Sequence, residues 1–174
     1  MSLTENGDLY SWGNNSSGEL ALGPKVQYTP KKIARLPRIM KFRCGFEHVL
    51  ALAEDGSLYS WGCSEQLGRD PLVASHVIPS KIPSLPPIID IACGSAHSMA
   101  YSREGELFVW GDNEQGQLGL GSTLRQNLPT RLEGFNRRII QMKCGYLHSM
   151  VLTPKQDIYV WGNNSFGQLG KGET

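Results

Sequence analysis

The chain has 174 residues, of which 40% are apolar and 19% charged, and its formal net charge is +1. That size and balance suit a single soluble core, and the near-neutral charge argues against a polyanion binder, which carries a clear basic excess. The apolar run Val49-Leu50-Ala51-Leu52-Ala53 is far too short to span a bilayer, and the N-terminus lacks the charged-then-apolar pattern of a secretory signal; the expected location is intracellular, cytoplasmic or nuclear.

The first element in chain order is a strand, Gly7-Asp8-Leu9-Tyr10-Ser11-Trp12-Gly13. It recurs as Gly56-Ser57-Leu58-Tyr59-Ser60-Trp61-Gly62, as Gly105-Glu106-Leu107-Phe108-Val109-Trp110-Gly111 and as Gln156-Asp157-Ile158-Tyr159-Val160-Trp161-Gly162. Successive tryptophans are 49, 49 and 51 residues apart. A period of this length marks propellers and repeat arrays, so Trp12, Trp61, Trp110 and Trp161 read as architecture. A Gly-rich connection follows each tryptophan, as in Gly111-Asp112-Asn113-Glu114-Gln115-Gly116-Gln117-Leu118-Gly119. Next comes an outer strand carrying Pro30, Pro79 or Pro129, a residue that an edge strand tolerates because it need not donate every N–H. An apolar strand then leads to Cys44-Gly45-Phe46-Glu47-His48, repeated as Cys93-Gly94-Ser95-Ala96-His97 and Cys144-Gly145-Tyr146-Leu147-His148. The third repeat shows the whole unit: strands at Ile88–Ala92, Ser98–Tyr101, Leu107–Trp110 and Leu128–Leu132.

Asn6-Gly7 and Asp55-Gly56 suit the positive φ angles of two-residue hairpins. The fourth repeat has Lys155-Gln156 there, so that hairpin must differ or carry strain of about 1 kcal/mol or more. In the Trp strand, Tyr59 and Trp61 face one way and Leu58 and Ser60 the other, so both faces need cover, as in blades stacked round an axis. No segment sustains a 3.6-residue apolar period, and little helix is expected.

The ordered set Gly-x-Leu-Tyr/Phe-x-Trp-Gly, Asn-x-x-Gly-Gln-Leu-Gly, Pro, Cys-Gly-x-x-His resembles the repeat of the regulator of chromosome condensation family over nearly the whole chain. The resemblance implies an all-β fold, a β-propeller of four-stranded antiparallel blades, seven in the best-known members. The chain holds about three and a half repeats in one repeat domain, 1–174: a partial repeat at about 1–27, then 28–76, 77–126 and 127–174. Such a partial ring exposes its terminal blades. The rest of a longer chain would cover them, or a second copy, the two halves then closing a ring by two-fold symmetry.

Cys44, Cys93 and Cys144 with His48, His97 and His148 invite a metal or catalytic reading. One pair per repeat argues instead for structure, since catalysis needs a single constellation; each histidine is expected to bond backbone within its own blade. The cysteine spacing matches no zinc pattern, and buried free thiols are expected. The run Gly116-Gln117-Leu118-Gly119-Leu120-Gly121 lacks the order of a phosphate loop. No catalytic residue, cofactor or metal is expected.

A basic run, Lys31, Lys32, Arg35, Arg38, Lys41 and Arg43, contains no acid, and Arg137 and Arg138 occupy the corresponding place two repeats on. It reads as a rim patch for a protein partner, set against a solvated strand and loop. Glu54, Asp55, Glu104 and Glu106 fall at hairpin tips and are expected to gather acidic charge on one side. The leading functional expectation is a non-catalytic protein-interaction scaffold. The alternative, implied by the resemblance, is guanine-nucleotide exchange on a Ran-like small GTPase, although repeat spacing near 49 to 51 leaves no wedge-length insertion. Nucleic-acid binding is not expected, because the basic tail of the founding member is missing from these residues.

Overall fold

Short segments of alternating apolar character, punctuated by glycine turns, form strands β1 (Ser2–Leu3), β2 (Leu9–Gly13), β3 (Gln27–Lys32), β4 (Ile39–Cys44), β5 (His48–Ala53), β6 (Leu58–Gly62), β7 (Ser80–Lys81), β8 (Ile88–Cys93), β9 (His97–Ser102), β10 (Leu107–Gly111), β11 (Gln126–Arg131), β12 (Gln141–Cys144), β13 (His148–Leu152) and β14 (Ile158–Gly162). The computed structural model describes residues 1–70 and 76–172. Its strands group into four antiparallel sheets: β1-β2-β3, β4-β5-β6-β7, β8-β9-β10-β11 and β12-β13-β14. These are propeller blades, numbered one to four along the chain. The two inner blades have four strands and the two terminal ones three. Each proline-bearing strand pairs with the Trp strand before it, so blade three takes in Gln126–Arg131 at its outer edge. The single helical element among the described residues is a 3₁₀ turn at Ser64–Gln66.

Alternation places the two faces of each Trp strand in different cores. Leu58 packs with Leu50, Leu52 and Ile82 of its own blade against Ile91, Ala100 and Trp110 of blade three. Trp61 on the opposite face joins Val49 and Ala51 against Leu9 and Ile33 of blade one. A third core joins Met99, Leu107 and Val109 to Met142 and Val151. The cores therefore lie between blades, and no blade buries its apolar faces alone. At the ends this cover stops. Trp12 is 38% exposed and Ile158 66% exposed, and among the described residues β14 has no outer partner strand of the kind that β6 and β10 have.

The hairpins differ from the two-residue form. Gly56 N–H donates to Ala53 O (3.0 Å) and Ala53 N–H to Ser57 O (2.9 Å). Only the glycine has positive φ, at 84°, and Asp55 does not. This is a three-residue loop with its left-handed residue in the bulge position. Gln156 keeps that geometry at φ 68° without being glycine, so the expected strain is present. Gln156→Gly should stabilise the fold by about 0.5–1 kcal/mol; a chemical denaturation midpoint that does not rise would contradict this.

Candidate protein-interaction surface

The repeat residues act between blades. Trp61 Nε1–H donates to Glu19 O, Trp110 to Gln66 O and Trp161 to Gln117 O, each at 2.9 Å and each to the preceding blade. The histidines also cross blades, which corrects the expectation that they bond backbone within their own. His48 Nε2 lies 2.9 Å from Ser98 Oγ, and His97 Nε2 lies 2.9 Å from Ser149 Oγ. Ser149 Oγ spends its proton on Gln117 O at 2.8 Å, so Nε2 of His97 is the donor and Nδ1 carries the lone pair. Nδ1 of both His48 and His97 is buried without a partner. Burial, and secondarily the neighbouring imidazole His97, hold His48 at about 3. Burial likewise holds His97 at about 4. These rings are neutral staples.

The glycine in Cys-Gly-x-x-His is explained by the same contact. A Cβ on Gly94 would overlap the His97 ring and sit 2.8 Å from Gly145 O. Gly94→Ala should therefore destabilise the protein by about 1–3 kcal/mol through overpacking, measurable as a lowered denaturation midpoint.

All four cysteines are free. Burial of all of them, however, does not hold: Cys44 is exposed and the others half-buried. Cys44 stands against blade one, where no strand corresponding to β4, β8 and β12 occurs among the described residues; its Sγ lies 3.7 Å from Met1 Sδ. Burial pushes the Cys144 thiol up to about 12 and raises Cys93 well above its ordinary value, which leaves both unreactive. Among the described residues no group of three or more His, Cys, Asp or Glu side chains could hold a metal ion. The Gly116–Gly119 turn is organised by Asn113, whose Oδ1 accepts Leu118 N–H and whose Nδ2 donates to Ser122 O and Leu124 O.

The basic run is divided among three places. Lys31 and Lys32 lie on the outer strand β3, and Lys32 Nζ pairs with Asp8 at 2.8 Å. Arg35 and Arg38 lie on the segment entering blade two, where Arg38 meets Glu54 at 3.4 Å. Lys41 and Arg43 lie on the innermost strand β4; Lys41 Nζ bonds Asp90 at 2.7 Å, joining the inner strands of blades two and three. Arg137 and Arg138 stand at the entry to blade four, with the Arg137 guanidinium 5.1 Å from the centroid of the Tyr159 ring. The hairpin tips share this rim, so Glu54 and Glu104 alternate with Arg38, Arg103 and Arg138; the rim is mixed in sign, not acidic. The opposite rim, made by the long connections and the Cys-Gly turns, exposes Phe46 and Tyr146. There Phe46 N–H donates to Ser95 O (3.0 Å) and Ser95 N–H to Tyr146 O (3.1 Å), linking successive turns.

The RCC1-like domain family matches residues 1–174. The chain belongs to that family. Prp20p from Saccharomyces cerevisiae superposes with a TM-score of 0.85 at 31% identity over 100% of this chain and 45% of that one. Human WBSCR16 gives a TM-score of 0.83 at 29% identity over 98% of this chain and 47% of that one. Among curated relatives, the RCC2 homolog of Danio rerio is 41% identical over 59 residues, 33% of this chain and 12% of that protein. Alsin of Rattus norvegicus is 40% identical over 60 residues, 34% of this chain and 4% of that protein. The chain thus spans under half the length of these solved RCC1-like propellers. No helix among the described residues is long and apolar enough to cross a membrane.

Proposed function

We propose that this chain is a non-catalytic binding module whose protein partner is a Ran-like small GTPase. The observation that carries the reading is the end-to-end likeness to Prp20p, whose structure was described together with its binding to Gsp1p, a Ran-like GTPase, and to histones. His48 and His97 are spent on blade-to-blade contacts, which leaves rim side chains as the functional surface. Propellers present such rims to macromolecules.

A second reading, nucleotide exchange, is favoured by the same relative. Exchange needs no covalent chemistry. A module that binds the nucleotide-free GTPase more tightly than the loaded form shifts the equilibrium by that difference in affinity alone. The near-constant repeat spacing of 49 to 51 residues offers no long insertion as a wedge, which favours recruitment over exchange.

Charge reversal at Lys31, Lys32 and Arg35 together should weaken GTPase capture by about tenfold, since rim charges contribute a few tenths to 1 kcal/mol each. Folding stability should fall only slightly, since the exposed Lys32–Asp8 pair is worth little. Undiminished capture by the folded triple variant would remove this edge from the binding surface.

A further inference from the structure

The seams between blades are sealed on the hairpin rim by a repeated bond. Ile39 N–H donates to Gly7 O (3.0 Å) and Ile88 N–H to Gly56 O (2.9 Å). The third seam departs from this pattern. Ile139 N–H donates instead to the hydroxyl of Tyr101 at 3.2 Å. The cause is legible in the chain: Ile33 and Ile39 are six residues apart, as are Ile82 and Ile88, whereas Leu132 and Ile139 are seven apart. The extra residue holds the entry to blade four off the Arg103–Glu106 hairpin. A Cβ on Gly56 would touch Pro87, but one on Gly105 would meet only the Tyr101 hydroxyl, 3.5 Å away.

The gap is a groove of about 720 Å³ lined by Arg103, Arg131, Arg137 and Arg138. It adjoins a second hollow of about 310 Å³ that shares Asn136, Arg137 and Arg138 and adds Thr153, Lys155 and the carboxylate Asp157. Arg131 is occupied by Glu106 at 3.2 Å. Among the described residues no carboxylate lies within 4.0 Å of the charged groups of Arg103, Arg138 or Lys155. The Arg137 guanidinium carbon lies over the Tyr159 ring, 5.1 Å from its centroid, a contact that restricts the side chain. Glu104 also lines the groove, so it is selective rather than uniformly basic. A second observation concerns Thr153, which lines the second hollow. Thr153 Oγ1 is buried without a partner, although the equivalent Ser102 Oγ accepts Glu106 N–H at 3.0 Å and Thr4 Oγ1 accepts Asp8 N–H at 3.1 Å. Pro154 supplies no N–H where Glu54 and Arg103 donate to Arg38 O and Pro87 O. Cationic side chains thus converge on an opened seam.

We infer that the seam between blades three and four is a docking groove for an extended acidic peptide segment, whose carboxylates meet the Arg103, Arg137 and Arg138 guanidiniums. The groove and the adjoining hollow share Asn136, Arg137 and Arg138, and two adjoining hollows fit a chain rather than a single anion; planar guanidiniums match carboxylates two bonds at a time. The inference is independent of the GTPase reading.

The test is fluorescence anisotropy with a fluorescein-labelled octapeptide of alternating aspartate and glycine. Combined Arg137→Glu and Arg138→Glu should weaken binding about tenfold or more, as loss of charge-assisted bonds does. Combined Lys31→Glu and Lys32→Glu, an equal charge change on the far outer strand, should weaken it less than about threefold. Deleting Asn136 restores the six-residue spacing and should abolish binding in a chain that still unfolds cooperatively. Equal weakening by the two double reversals, retention of binding by the deletion variant, or displacement by inorganic phosphate at matched charge as effective as by unlabelled peptide would each overturn the proposal.

Discussion

Trp110→Ala is expected to destabilise the protein by about 3–5 kcal/mol, the range for deleting a fully buried aromatic side chain. Trp110 has no exposed surface. It fills the core between blades two and three, and its indole N–H satisfies Gln66 O at 2.9 Å. Truncation both opens a cavity and frees a buried acceptor. Trp12→Ala is the matched comparison at the same repeat position. Trp12 is 38% exposed, and its indole has no hydrogen-bond partner among the described residues, so its replacement in this chain should cost less than half as much. Denaturant titrations of the two variants measure the difference. Equal losses would mean that the tryptophans stabilise their own blades and do not join neighbours.

Acidification from pH 6.5 to about 4 should remove several kcal/mol of stability. His48 and His97 are held by burial at about 3 and about 4 in the folded state, against an ordinary value of about 6.5 in the unfolded chain. Both folded values are depressed, so the unfolded state takes up protons first. Stability is complete above about pH 6.5 and falls below it, by up to about 1.4 kcal/mol per pH unit for each ring. The loss levels off only where the folded imidazoles themselves protonate. Between pH 6.5 and 5 few carboxylates titrate, so this window isolates the histidines. Folding free energy measured across it should slope steeply, and His97→Phe should reduce the slope. A flat profile would show that the Nδ1 atoms have a polar partner or that the rings carry charge in the fold.

Much of the architecture was legible because each element recurs. The Trp strands, the outer proline strands and the Cys-Gly turns lie where the period places them, since the same local chemistry solves the same packing problem in every blade. What one repeat could not reveal was the direction of its contacts. The His48 partner, Ser98, is 50 residues away, and an isolated Cys-Gly-x-x-His reads equally well as a turn closed on itself. Arg69 also escaped notice: in the shortened second connection it is buried and donates to Ser60 Oγ at 3.0 Å, outside the repeated motifs. The basic run looked like one patch because its residues are consecutive in sequence. Passing from outer strand to inner strand carries Lys31 and Lys41 to opposite ends of the sheet order in neighbouring blades, and Asp90 consumes the charge of Lys41. The groove had a signal, the seven-residue step from Leu132 to Ile139, which matters only once the six-residue steps elsewhere are known to seal a seam.

The measurement that bears most directly on the central claim is titration of this chain against a purified Ran-like GTPase, stripped of nucleotide and, separately, loaded with GTP, with binding heat as the readout. Saturable binding of similar strength to both forms, weakened by the Lys31, Lys32 and Arg35 reversal, is the result expected of recruitment, whereas markedly tighter binding of the stripped form would favour exchange. No binding to either form by a cooperatively folded chain would contradict the account.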